Sequence, residues 1–382
     1  MKNKLIKVAA APVLLMSLIA CNADQAGNAV VTPEPTSTAQ AGQSDPATAV
    51  PEATAGPAAK PAPSSVAAGE IEHFEDLTIS DWVDDNTVIV SKENEQLGTM
   101  SLAELSGSYP KSLYLYHLDT KEYELLKEQK DTNLGEAELS PDGKYLLYSE
   151  YTLGDPAYYV MDLGSKKTSG IKGEPVAGAI SAEWADDNTV VGPAYSGGAF
   201  TADVTGKIAA VKGLGAEGLI IVRQSKDKLY YTSNSNETLQ MLDRTTGEQA
   251  SLPLDRVGGV VPSPDGTQLL VQQYTDTSQK LLLTDAGGEN PQVIVEGAEL
   301  GGFSWSPDQQ RITYSSAEAA DGDGPSALYI YDLSTKESAK IAEGSGSLDT
   351  SWSPSGKALS YNEWDGKRSS SNVVPLVYGD SK

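Results

Sequence analysis

One short phrase recurs along this chain: an aromatic or aliphatic residue, a tight polar turn, then a β-rich run. A repeat of this kind fixes an architecture before any chemistry is considered. The clearest copies are Leu139-Ser140-Pro141-Asp142-Gly143, Pro262-Ser263-Pro264-Asp265-Gly266, Trp305-Ser306-Pro307-Asp308 and Trp352-Ser353-Pro354-Ser355-Gly356. Trp82-Val83-Asp84-Asp85-Asn86-Thr87 and Trp184-Ala185-Asp186-Asp187-Asn188-Thr189 place another turn at the same point. Pro presets the first central position of a type I turn, Asp or Asn tolerates the next, and Gly supplies the positive φ that closes the hairpin. A seventh, degenerate copy runs from Leu219-Ile220-Ile221-Val222 into Ser225-Lys226-Asp227-Lys228 without Pro or Gly. Successive turns stand 39 to 57 residues apart, near the length of one four-stranded propeller blade.

Each turn leads into a second strand, such as Lys144 to Ser149 or Arg311 to Ser315. A third strand often closes on Asp-Leu, as in Leu113 to Asp119, Tyr158 to Leu163 and Leu328 to Leu333, and a weaker outer strand follows. The expectation is an all-β chain over residues 70–382, a single β-propeller of seven blades, each of four antiparallel strands. A six-bladed ring with an irregular insert is the competing count. The last unit ends at Val373 to Tyr378 with no outer strand of its own, while Ile71-Glu72-His73-Phe74 precedes the first unit and belongs to none. Together they are expected to complete one blade, removing the sheet edges that an open ring would leave for aggregation.

The N-terminus has a different character. Lys2, Lys4 and Lys7 precede an apolar run from Val8 to Ala20, so residues 1–20 read as an export signal. The run is too short to span a bilayer as a helix. Residues 22–69 contain no Phe, Tyr, Trp, Leu or Ile, and many Pro, so 21–69 is expected to be a disordered tether. Cys21 is the sole cysteine, which leaves the domain without a disulfide. A formal charge of −25 opposes binding to nucleic acid.

Leu18-Ile19-Ala20-Cys21 resembles the lipobox of bacterial lipoproteins. That resemblance implies diacylation of Cys21 and a location at the extracytoplasmic face of the bacterial cell membrane, where two acyl chains anchor stably. The Trp-Ser-Pro-Asp-Gly and Tyr-Asp-Leu pattern over roughly 75–379 resembles the WD40-like repeats of the periplasmic TolB family, which also occur in prolyl oligopeptidase-type propellers. The resemblance implies the fold. It carries over neither the Tol-Pal role nor peptidase activity, because neither the helical domain of the one nor the hydrolase domain of the other is visible here.

A Ser-His-Asp triad needs an imidazole, and the chain holds only His73 and His117, both in strand patterns. No Gly-x-Ser-x-Gly elbow and no Cys/His cluster for zinc occurs. No catalytic residue, metal site or cofactor is therefore expected, apart from calcium as discussed next. Asp81, Glu138 and Glu183 each stand just before the anchor residue of the first strand in units one to three, with Val222, Val261, Ser304 and Ser351 at the corresponding places later. On neighbouring inner strands they are either solvated acids at the channel mouth or a site for calcium or a basic ligand, since hard cations favour clustered oxygens. Asp321-Gly322-Asp323-Gly324 lacks the ligand series of an EF-hand and reads as a hairpin loop. The insertion from Glu93 to Lys111 is either a recognition loop or a cap on its own blade. The reading that results is a monomeric, lipid-anchored recognition or scaffold module for an envelope protein or polymer. The alternative is a carboxylate-dependent propeller enzyme acting on glycans or other envelope polymers.

Overall fold

The computed structural model describes residues 66–175, 177–215, 217–317, 325–346, 348–364 and 368–379. The expected signal, Cys21, nearly all of the expected tether and Asp321 to Gly324 lie outside these residues. Seven antiparallel sheets of consecutive strands follow one another along the chain, with no α-helix among the described residues. Their first strands are Leu77–Asp84, Asn133–Leu139, Glu183–Asp186, Leu219–Ser225, Val257–Pro262, Glu299–Trp305 and Asp349–Trp352, which define blades 1 to 7. First strands of blades 1 and 2, 3 and 4, 4 and 5, 6 and 7, and 7 and 1 pack on one another, as inner strands of a propeller do.

Blade 7 is completed from the other end of the described chain. Glu72–Glu75 pairs antiparallel with Ser370 to Val373, and Val66–Ala68 pairs with Leu376 to Tyr378 on the same strand. The two short strands act as one outer strand interrupted at Gly69, whose N–H donates to the Pro375 carbonyl at 2.7 Å. Val66–Ala68 thus belongs to the propeller, which begins before the boundary expected at residue 70.

The core lies between blades. Seven apolar clusters each join two neighbouring blades, so every sheet is covered on both faces. Second strands accordingly show unbroken apolar burial, as in Val88, Ile89 and Val90 or Leu146, Leu147 and Tyr148, where an alternating strand would expose every other residue.

The recurring phrase does two jobs. Its Ser is buried in all four Ser-Pro copies, and the Ser263 hydroxyl donates to Asp265 at 2.7 Å while accepting the Gln268 N–H at 3.0 Å. Its Trp stitches blades. Trp82 Nε1 donates to the Ser351 carbonyl of blade 7 at 3.2 Å, Trp184 Nε1 to the Glu138 carbonyl of blade 2 at 3.0 Å, and Trp305 Nε1 to the Val261 carbonyl of blade 5 at 3.2 Å. Trp352 Nε1 is buried without a partner. At its junction Ser304 and Thr313 of blade 6 and Thr350 of blade 7 share hydroxyl bonds of 2.5 to 2.8 Å instead.

Candidate functional site at the channel mouth

Strand pairing sets the ring position of each inner residue. Asp81 pairs with Ile89, Glu138 with Leu147 and Glu183 with Val191, equivalent places in blades 1 to 3. Blades 1 and 3 carry a one-residue irregularity just before the turn, at Val83 and Ala185, whereas blade 4 runs from Val222 to Ser225 without one. The blade 4 equivalent is therefore Arg223, paired with Tyr230, and the expected Val222 is instead a core residue, 1 % exposed. The ring reads Asp81, Glu138, Glu183, Arg223, Val261, Ser304, Ser351: three acids followed by a guanidinium.

These four residues have different fates. Asp81 Oδ1 accepts the Trp82 N–H and Oδ2 accepts the Leu139 N–H, each at 2.8 Å, which ties blade 1 to blade 2 at a junction whose anchor is Leu139. Burial pushes its carboxyl upward, and the bonds from Leu139, Trp82 and Ser351 oppose that. Glu183 Oε2 meets Arg223 Nη1 at 2.6 Å, joining blades 3 and 4, where the anchor position holds Gln224. Removal from water raises Glu183 to about 7 against the pull of Arg223. Both are staples at junctions that have no indole to stitch them.

Glu138 is left over. Its carboxylate has no hydrogen bond or ion pair, and its pKa is raised to about 8, first by removal from bulk water, then by the charges of Glu183 and Asp81. The side chain is walled by protein on most sides yet reaches water, as a group projecting into a channel does. Channel water solvates the ionised form, so its cost is smaller than crowding alone implies. The Glu138 proton is held more tightly than that of an ordinary carboxyl, and when protonated the group can donate as well as accept.

A cavity of about 390 Å³ opens beside these groups, lined by Glu138, Glu183, Arg223, the half-buried Trp184, Val261 and Pro262. Among the described residues no group of three or more His, Cys, Asp or Glu is placed to hold a metal ion. His73 sits in the closing strand with Nδ1 2.8 Å from Asn372 Oδ1, and His117 Nδ1 lies 3.3 Å from Thr87 Oγ1. The insertion from Glu93 to Lys111 is pinned as a cap: Met100 is buried, Asn94 Nδ2 donates to Ser112 and Glu128, and the Ser101 N–H donates to Asp131 at 2.7 Å.

No protein-family model matches this chain, and no curated protein matches its sequence. Solved structures do resemble it in shape. An oligogalacturonate lyase from Vibrio parahaemolyticus is 12% identical, with a TM-score of 0.60, 82% of this chain and 98% of that one covered. The Cps50 (Swd1) β-propeller domain from Myceliophteria thermophila is 11% identical at a TM-score of 0.53, covering 81% and 99%. TolB from Acinetobacter baumannii is 15% identical at 0.48, covering 69% and 65%. The fold is thus a seven-bladed propeller, as in these structures, and shape alone does not select a role.

Proposed function

We propose that this chain is a non-enzymatic recognition module, held at the extracytoplasmic face of a bacterial membrane through a diacylated Cys21, that engages an envelope protein or polymer at the channel mouth. The observation that carries the reading is the division of labour among the three acids. Two-carboxylate acid–base chemistry needs a second free group opposite the first. Asp81 is bound to backbone N–H groups of two blades and Glu183 is bound to Arg223, so only Glu138 is uncommitted. A carboxyl of raised pKa, a guanidinium and an indole around one cavity suit the orientation of a polar group of a partner, without a paired nucleophile and base.

The test captures partners from solubilised envelopes with the tethered propeller and with the E138Q/R223Q double variant, after matching their melting curves. The expected result is at least tenfold loss of capture in the double variant, with palmitate labelling abolished by Cys21→Ser. Turnover of a peptidoglycan or polysaccharide panel by the wild type, lost in Glu138→Gln, would replace this reading with the glycan-directed enzyme.

A further inference from the structure

The chain holds five tryptophans, and four of them stand at the anchor position of the repeat. The fifth, Trp364, stands at the far end of the second strand of blade 7 and is 55% exposed. Other blades place tyrosines there. Tyr151, Tyr195 and Tyr274 each lie against a glycine of their own blade or its lead-in: a Cβ on Gly135, Gly178 or Gly258 would come within 3.2, 3.2 and 2.2 Å of the ring. Each of those three rings rests one edge on a glycine, although Tyr195 and Tyr274 remain 46% and 44% exposed. No described glycine meets Trp364 in this way.

Trp364 instead walls a cavity of about 410 Å³ at the junction of blades 7 and 1. Around it stand Asp76, Glu93 and Glu95 with Lys92, Lys111 and Arg368, and the Arg368 guanidinium lies 3.6 Å from Asp76. They come from three places: the turn after the closing strand, the base of the blade 1 insertion, and Arg368 just before the third strand of blade 7. The insertion is held down by the Asn94 and Met100 contacts, so its base is a fixed rim. The volume falls within the usual range of small-molecule sites.

The chemistry selects a ligand class. Balanced charge gives a strongly anionic or cationic ligand like charges to meet wherever it finds opposite ones. A hydroxyl group both donates and accepts, so it is served equally by carboxylate and ammonium heads. An exposed indole face offers a flat apolar surface that matches the C–H face of a pyranose ring. We propose that the Trp364 cavity is a saccharide-binding subsite for uncharged sugars, separate from the channel mouth and formed only when the ring is closed.

The experiment is a binding screen of the full-length protein on an array of neutral oligosaccharides, followed by titration of each hit with tryptophan emission and calorimetry. Binding of at least one neutral oligosaccharide with a blue shift is expected, weakened at least tenfold in Trp364→Ala, partly kept in Trp364→Phe, and unchanged in E138Q/R223Q. Melting temperature should be unaltered in both Trp364 variants. A blank array, or hits whose affinity survives Trp364→Ala, overturns the assignment. So does loss of binding in E138Q/R223Q alone, which would move the ligand to the channel mouth. Preferential binding of a lysine-rich peptide or of phosphocholine vesicles through Trp364 would equally replace it.

Discussion

The two faces of the ring use similar residues for opposite ends. On the face of first-to-second turns, acids are consumed by donors within the turns: Asp142, Asp265 and Asp308 accept from the Ser hydroxyl of the phrase, and Asp162, Asp243 and Asp285 accept backbone N–H groups of the turns after third strands. Those bonds hold the carboxyls of Asp142, Asp162, Asp243, Asp265 and Asp285 below their ordinary range. On the opposite face of second-to-third loops, Leu153, Tyr195, Tyr274 and Trp364 are exposed, and no two blades share a loop. Repetition marks the turns that build the ring, and divergence, in the acid and guanidinium sector at the channel mouth and in the second-to-third loops, marks what is left to serve a partner.

The sharpest way to test that division starts where neither face is involved. Deleting residues 66–76 removes the outer strand of blade 7 and Phe74 from the cluster joining blades 7 and 1. Loss of a cooperative melt is expected, and an unchanged melt would show that the ring holds without closure. Next in size, Trp82→Ala should cost about 3–5 kcal/mol by denaturant titration, because it empties a junction and frees the Ser351 carbonyl. Ser263→Ala, on the turn face, should cost about 1 kcal/mol, since the Gln268 N–H loses its buried acceptor. Trp364→Ala, on the loop face, should stay within about 0.5 kcal/mol of the wild type. An equal cost for the last two would break the contrast between faces.

The pH response divides similarly. A folded carboxyl below its ordinary pKa contributes stability above that value and loses it as pH falls through the folded pKa, so the turn acids should make stability depend on pH only on the acid side of 3.8. Glu138 and Glu183 have the opposite sign: the folded state holds their protons more tightly, so stability should fall as pH rises from 4.5 towards 8. Glu138→Gln should raise the melting temperature at pH 9 more than at pH 5, by an amount that channel water keeps small. A variant equally stabilised at both values would mean that Glu138 is not perturbed.

How much was legible in the sequence follows from what a repeat contains. The ring, the count of seven and the closing role of Ile71 to Phe74 were readable because turn chemistry and strand pattern are local. The role of the Ser was not, since its burial depends on neighbouring strands. Arg223 was missed because the fourth copy has no Pro or Gly to set its register, and only strand pairing reveals the extra residue at Val83 and Ala185. The tight Ser225 to Lys228 turn, resembling Asp186 to Thr189, was the available hint. That two of three acids would be staples was not legible at all, because their partners come from other blades.

The closing blade also has a clock in it. Ile79 N–H bonds to Ser371 Oγ, and His73 to Asn372, across 292 and 299 residues of chain. A ribosome makes the strands of one partner well before those of the other, so the earlier strands wait unpaired until the later segment exists. Contacts at such separation are slow to form. A copy cut short during synthesis can never close, and its bare strands mark it as incomplete to any protease that reads open edges.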